Sequence, residues 1–234
     1  VYSCSHPVDG ASIKVLKHGK DTPKTEIDGA FSQDFTWRAD SKAFFFSAAH
    51  TVDHFNLFDD LYFHKLGHKT ATLMTRGKRV RQPTLSPDGR ELVLIQNKVQ
   101  QNQLARFTVD QDLDTLTKLG DHTQLANPKF PPDGRYLAMS VWEHGVRDIW
   151  IYTAEGEPYR RVTADTAHDM DPSWSADGRW LYFSSDRSGV FNIYAINLEK
   201  ESIHQITNVL GGAFHPSPHP DGSRIAFESF SNNG

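Results

Sequence analysis

The fold of this chain is decided by the stretch Asp171–Ser185, which reads Asp-Pro-Ser-Trp-Ser-Ala-Asp-Gly-Arg-Trp-Leu-Tyr-Phe-Ser-Ser. Two runs rich in aromatic and apolar residues flank the tetrapeptide Ala-Asp-Gly-Arg, a pattern typical of a β-hairpin. In that turn Gly178 can adopt a positive φ without steric cost, and the side chain of Asp177 can hydrogen-bond the local backbone. The stretch therefore predicts a strand, a tight turn and a second strand.

The same hairpin recurs at a nearly constant spacing. Its turn aspartates are Asp40, Asp88, Asp133, Asp177 and Asp221, which are 48, 45, 44 and 44 residues apart. A period in this range indicates an array of supersecondary units, and repeated hairpins within each unit indicate propeller blades of four strands. We therefore predict an all-β fold, a β-propeller of four-stranded antiparallel blades, with about four full blades and a partial blade at each end.

The strands are apolar on both faces. In the clearest repeat, Leu181 and Phe183 share one face, whereas Trp180 and Tyr182 share the other. Burial of one such side chain is worth roughly 1.5–3 kcal/mol, so a second apolar face is too costly to leave in water. A sheet that lies between two other sheets buries both faces. We accordingly expect the aligned tryptophans, Trp37 and Trp174, to pack between blades.

The repeat also divides the chain. We assign full blades to residues 33–80, 81–125, 126–168 and 169–213, and partial blades to residues 1–32 and 214–234. In the first partial blade we expect two strands, between Ser12 and Ile27. The strands at the two ends can in principle close a fifth blade. We expect instead that the natural propeller has six or more blades and that this chain is a segment of it, because open sheet edges invite aggregation.

The first full repeat departs from the others in two places. Ser41 stands where later turns have glycine, and because serine is strained in the left-handed conformation we expect a different turn type there. The extra residues of this repeat fall near positions 48–58. We expect them in a loop between the second and third strands.

Composition excludes several classes of function. The chain has 234 residues with 25 basic and 29 acidic side chains, a net charge of −4 and no basic run, so nucleic acid is a poor partner. No apolar run approaches the length of a membrane span. The single cysteine, Cys4, can form no internal disulfide. Nucleophile-elbow, zinc-protease and phosphate-loop motifs do not occur, so we predict neither catalytic residues nor a cofactor.

A polar residue precedes each inner strand. By alignment these residues are Asp34, Gln82, Asn127, Asp171 and His215. Inner strands line the central channel of a propeller, so the five side chains should form a ring at one mouth. Two interpretations stay open: the side chains hydrogen-bond the backbone of the neighbouring blade, or they contact a ligand or partner.

The 12 histidines include a His-x-x-x-His pair, His50 and His54, with Asp53 between them. Zinc or a similar metal needs three or four converging ligands. We treat these three residues as weak metal candidates and favour the interpretation that they are solvated loop residues.

These motifs resemble the TolB-like β-propeller repeat, a relative of the WD-type repeats. The resemblance rests on the phrases Pro172–Gly178, Phe183–Gly189 and Ile193–Ile196, and it covers about residues 33–234. It implies an exported bacterial protein in the periplasm or cell envelope, in which the propeller is a non-catalytic scaffold that binds a protein or peptide. Two alternatives follow from the same resemblance: an accessory propeller of a larger serine peptidase similar to prolyl oligopeptidases, or, less favoured, a metal-dependent oligosaccharide lyase.

Overall fold

The computed structural model describes residues 2–6, 10–16, 20–28, 34–99, 101–108, 111–117 and 123–230. All regular secondary structure in these ranges is β-strand. There are four antiparallel sheets of four strands, with a smaller sheet at each end of the chain. The predicted all-β propeller with partial terminal blades is thus confirmed. Over the same ranges, no helix of the length and hydrophobicity that a bilayer crossing requires is present.

The N-terminal sheet has three strands, one more than the sequence indicated. Its strands are β1 (Tyr2–His6), β2 (Gly10–Val15) and β3 (Lys24–Asp28). The strand missed by the pattern is β1, which pairs with β2 over five residues. Its sequence, Tyr-Ser-Cys-Ser-His, is polar and short, so the backbone ladder rather than residue preference makes it a strand.

Each full blade is a meander in which consecutive strands are neighbours. Blade 1 comprises β4 (Phe35–Trp37), β5 (Ala43–Val52), β6 (Asn56–Lys65) and β7 (Thr72–Leu73). Blade 2 comprises β8 (Val80–Leu85), β9 (Leu92–Asn97), β10 (Asn102–Thr108) and β11 (Gln111–Thr115). Blade 3 comprises β12 (Gln124–Lys129), β13 (Tyr136–Glu143), β14 (Val146–Thr153) and β15 (Pro158–Arg161). Blade 4 comprises β16 (Asp169–Trp174), β17 (Trp180–Ser185), β18 (Asn192–Asn197) and β19 (Ile203–Gln205).

The C-terminal sheet contains β20 (Ala213–Pro218) and β21 (Ile225–Ser229). It is separate from the N-terminal sheet, so the described strands at the two ends do not combine into one blade. Three inner strands, β8, β12 and β20, begin one or two residues before the predicted boundaries at 81, 126 and 214. The division of the chain into blades otherwise stays a prediction.

The core consists of clusters that lie between consecutive sheets. Leu181 and Phe183 of blade 4 are fully buried against Ala138 and Ile149 of blade 3. Trp174 packs against this cluster, and Trp37 packs against the equivalent cluster between the N-terminal sheet and blade 1. Both faces of a blade are therefore covered, as the apolar pattern predicted.

The turn between β4 and β5 corrects one expectation. Ser41 has a φ of 52°, close to the 69° of Gly178, so the serine adopts the same left-handed conformation as the glycines. Its amide donates to the carbonyl of Arg38 at 2.9 Å, and the amide of Lys42 donates to Asp40 Oδ1 at 3.0 Å. These bonds hold a conformation that costs a non-glycine residue roughly 1–2 kcal/mol.

The insertion of blade 1 is an extended hairpin rather than an irregular loop. Strands β5 and β6 pair from Ala43↔Lys65 to Val52↔Asn56. The turn contains Asp53 and His54, with φ values of 51° and 67°. Two consecutive left-handed residues are typical of the tight turns that match the twist of antiparallel strands.

Candidate functional site

The predicted ring residues lie at irregularities of the inner strands. The pairing register shifts within β8, β12, β16 and β20, and in each shift lies one predicted ring residue. The φ values are 55° at Gln82, Asn127 and Asp171 and 50° at His215. Each of these residues precedes a proline, which has no N–H to donate to a ladder. Bulges of this kind redirect a side chain, and left-handed non-glycine residues are concentrated at functional sites.

Hydrogen bonds connect the ring residues of three consecutive blades. Gln82 Nε2 donates to Asn127 Oδ1 at 2.7 Å, and the backbone amide of Asn127 donates to Gln82 Oε1 at 2.9 Å. Asn127 Nδ2 donates to Asp171 Oδ1 at 2.8 Å. The ring residues therefore bond the inner strands of blades 2, 3 and 4 to one another.

The network continues into the C-terminal sheet. The backbone amide of His215 donates to Asp171 Oδ2 at 3.4 Å, and His215 Nε2 lies 3.6 Å from Asp171 Oδ1. Asp34 receives a hydrogen bond from Ser47 Oγ at 3.3 Å. Four of the five predicted residues thus form one bonded network, and Asp34 faces it from blade 1. Bonding to the neighbouring backbone occurs as the first interpretation expected, while a role of these residues in binding stays a prediction.

Lys129 belongs to this site although sequence reasoning missed it. Burial lowers the pKa of its ammonium group, and the carboxylates of Asp34 and Asp171 oppose that shift. Burial raises the pKa of Asp34, and the positive charge of Lys129 is the largest opposing influence. Charged residues from blades 1, 3 and 4 therefore lie close enough to interact electrostatically. The available signal was that Lys129 follows its ring residue by two positions, where the other repeats have threonine or serine.

A polar residue lies thirteen positions after every ring residue except Gln82, where the buried Ile95 takes that place. Ser184 Oγ donates to Asp171 Oδ2 at 3.2 Å, as Ser47 does to Asp34, and Glu228 contacts His215 Nδ1 at 3.2 Å. Ser140, the equivalent residue of blade 3, is buried, and its hydroxyl has no partner among the described residues. The constant offset of thirteen was visible in the sequence but carries no meaning until the strands are paired.

The weak metal candidates do not converge. His50 lies on β5 with its Nδ1 at 3.2 Å from the hydroxyl of Tyr62, whereas Asp53 and His54 occupy the exposed hairpin turn. In the described part of the chain, no three histidine, cysteine or acidic side chains are arranged to hold a metal ion. What the ring and Lys129 do offer is two carboxylates, two carboxamides, an ammonium and an imidazole that interact with one another, a set suited to polar recognition.

Substitution of Asn127 tests the cost of the ring geometry. We expect Asn127→Ala to lower the free energy of unfolding by about 2–3 kcal/mol, because it removes the side-chain hydrogen bonds to Gln82 Nε2 and Asp171 Oδ1 and places the β-carbon of alanine on a left-handed backbone. Asn127→Gly should recover about 1 kcal/mol of this loss, since glycine tolerates a positive φ. Denaturant unfolding measures both values. Equal stability of the alanine and glycine variants would contradict the left-handed backbone at this position.

Titration of His215 tests the charges around it. The hydrogen bond with Glu228 raises the pKa of His215 above 6.5, with the charges of Asp171, Glu228 and Asp34 adding to the shift and burial opposing it. A raised pKa contributes stability that is complete below the unfolded value and is lost as the pH rises through the folded value. We expect Glu228→Gln to lower the titration midpoint of the His215 imidazole in NMR spectra. Glu199→Gln, on an exposed turn, should leave that midpoint unchanged.

Comparison with known proteins agrees with this architecture. The family described as the TolB beta propeller domain matches residues 67–234. The Tol-Pal system protein TolB of Anaeromyxobacter dehalogenans is 31% identical over 104 residues, which are 44% of this chain and 24% of that protein. The chain therefore spans about a quarter of the length of the curated relatives it matches.

Similar solved structures have low sequence identity. The crystal structure of TolB from Acinetobacter baumannii has a TM-score of 0.79 at 17% identity, over 99% of this chain and 58% of that one. A prolyl endopeptidase has a TM-score of 0.62 at 15% identity, over 92% of this chain and 34% of that one. A manganese-bound oligogalacturonate lyase has a TM-score of 0.63 at 15% identity, over 96% of this chain and 66% of that one. At these identities the likeness shows the fold alone. The match to the family over more than two thirds of the sequence shows more: this chain belongs to the TolB beta propeller domain family.

Proposed function

We propose that this chain is a non-catalytic scaffold that binds a protein or peptide at the channel mouth formed by the ring residues. The observation that carries the proposal is the repeated bulge, which holds a polar residue in a left-handed conformation on the inner strands of blades 2, 3 and 4 and of the C-terminal sheet. Such a conformation costs free energy at each repeat, and proteins retain it where a side chain must be presented in a fixed direction. The side chains of the ring supply both donors and acceptors to a partner.

The same end of the propeller carries exposed apolar side chains. Antiparallel meanders place the connection between the second and third strands at the end where each inner strand begins. On these connections and their flanking strand ends lie Phe55, Val99 and Trp142, with exposed fractions of 93%, 80% and 42%. Large exposed apolar residues around a polar centre are characteristic of protein interaction sites. The partner in this proposal is accordingly a folded protein or peptide with a polar centre and an apolar periphery.

The location we propose is the bacterial cell envelope, in the periplasm. The support is membership of the TolB family and the names of the curated relatives, which are proteins of the Tol-Pal system. The net charge of −4 gives no reason to expect nucleic acid as a partner.

A second candidate is an accessory propeller of a larger serine peptidase, because a prolyl endopeptidase contains a similar fold over 34% of its chain. In that case the ring end would filter substrates for a hydrolase domain encoded in the same reading frame. Sequencing of the reading frame on both sides of the segment separates the two candidates. A Gly-x-Ser-x-Gly motif followed by aspartate and histidine would establish the peptidase.

Affinity capture from an envelope extract tests the scaffold. We expect the chain to retain a specific protein, identified by mass spectrometry, and Trp142→Ala or Phe55→Ala to reduce its recovery severalfold. The matched control is Ile203→Ala, an exposed apolar residue on the outermost strand of blade 4. Retention that is equal for all variants, or absence of a specific protein, would contradict the proposal.

A further inference from the structure

A second candidate site lies at the opposite end of the propeller. A cleft of about 360 Å³ opens between blade 3 and blade 4, at the end where the Asp-Gly turns join the first two strands of each blade. Its lining includes Tyr136, Tyr159 and Trp174, together with Pro131 and Pro132. None of these residues belongs to the ring, and the proposed function does not use them.

The aromatic side chains of the cleft present faces rather than hydrogen-bonding groups. The rings of Tyr136 and Tyr159 lie 4.8 Å apart at 36°, and the interaction with the Tyr159 hydroxyl raises the pKa of Tyr136. The indole nitrogen of Trp174 donates to the carbonyl of Lys129 at 2.9 Å. These polar atoms are therefore engaged, and what remains open to a ligand is aromatic and prolyl surface.

The rim of the cleft carries two arginines that are held in place. Arg135 Nε donates to Asp133 at 2.8 Å, and Arg160 donates to the carbonyl of Leu198 at 3.0 Å and to Glu201 at 2.7 Å. A guanidinium group has five N–H donors, so neither arginine exhausts its donors in these bonds. The rim carboxylates, in contrast, already have cationic partners, since Asp133 binds Arg135 and Asp177 binds Arg179.

We propose that this cleft binds a proline-rich peptide segment in the polyproline II conformation, with a glutamate or aspartate beside the prolines. Grooves lined by tyrosine, tryptophan and proline accept such segments because the extended helix loses little entropy and its prolyl rings pack on aromatic faces. The guanidinium groups of Arg135 and Arg160 then receive the ligand carboxylate in charge-assisted hydrogen bonds. An oligosaccharide fits less well, because its hydroxyls require free polar groups on the aromatic surface, where the tyrosine and tryptophan donors are engaged.

The test is a titration of the 234-residue chain with acetyl-Pro-Pro-Glu-Pro-Pro-Glu-amide, followed by NMR of the tryptophan indoles and by calorimetry. We expect shifts of the Trp174 indole signal and saturable binding. Tyr159→Ala should weaken binding about tenfold, as is typical for loss of an aromatic anchor. Tyr159 is 61% exposed, so this substitution leaves the fold intact, which an unchanged unfolding midpoint verifies.

Charge and position are tested separately. Arg160→Gln should weaken binding of the glutamate peptide severalfold but leave binding of acetyl-hexaproline-amide unchanged. Phe55→Ala, at the ring end, is the matched control and should bind the glutamate peptide as the parent chain does. The proposal is overturned by an unshifted Trp174 signal at millimolar peptide, by equal affinity for a glycine-serine peptide, or by saturable binding of chitotetraose instead. None of these results bears on partner binding at the ring.

Discussion

Replacement of Lys129 by methionine is expected to lower the free energy of unfolding by about 3 kcal/mol, because it leaves carboxylates facing one another without their shared cation. Asp34 and Asp171 both act on the Lys129 ammonium, and Asp34 is itself shifted by burial. Methionine keeps the length and flexibility of the side chain, so the loss reports charge rather than packing. Denaturant unfolding at neutral pH measures it.

The pH dependence of this loss has a definite sign. Burial raises the pKa of Asp34 above 3.8, so the folded state binds the proton of this carboxyl more tightly than the unfolded state does. The free energy of unfolding therefore increases as the pH falls through the pKa that Asp34 has in the folded state. Without Lys129 the carboxyl should be harder still to ionise. We expect the difference between the methionine variant and the parent chain to shrink as the pH is lowered from about 7 towards about 5.

Two further variants make the result specific. Lys200→Met, on an exposed turn, should change stability by no more than about 0.5 kcal/mol. The double variant Lys129→Met, Asp34→Asn should recover more than about 1 kcal/mol of the loss, because the uncompensated charge is then absent. A loss of stability that is the same at all pH values, or that Asp34→Asn does not reduce, would show that Lys129 does not interact electrostatically with Asp34.

The sequence predicted the fold well because the signal repeats. A single Asp-Gly turn indicates one hairpin, but four of them and one Asp-Ser turn at a nearly constant spacing leave few architectures open. Ser41 shows the limit of residue preference, because the local bonds of the turn hold serine in the conformation that glycine adopts elsewhere. β1 shows another limit, since a polar strand is specified by its pairing with β2 and not by its own composition.

The site was predictable only in part. Alignment placed Gln82, Asn127 and Asp171 at equivalent positions, and the structure joins them by hydrogen bonds. Lys129 was missed because a lysine at the end of a strand is usually solvated, and only the arrangement of the blades places it near carboxylates from blades 1 and 4. The cleft between blades 3 and 4 was missed for the same reason, since Tyr136 and Tyr159 come together only when β13 to β15 are paired.

The largest loss of stability is expected from Phe183→Ala, at about 3–5 kcal/mol, because Phe183 is fully buried between blades 3 and 4 and the blades cannot collapse around the cavity. Phe183→Leu should cost less than about 1.5 kcal/mol, since most of the volume is retained. Phe55→Ala, which removes a phenylalanine that is 93% exposed, should stay within about 0.5 kcal/mol of the parent.

Hydrogen exchange shows where the Phe183→Ala effect acts. In a repeat array each unit contacts its neighbours, so the loss at one interface should reduce amide protection first in β13, β14, β17 and β18. Protection in β5 and β9, which lie in blades 1 and 2, should change less because their own interfaces remain intact. Uniform loss of protection across all blades would instead mean that the chain opens as one cooperative unit. A stability change as small as that of Phe55→Ala would contradict the burial of Phe183 between the blades.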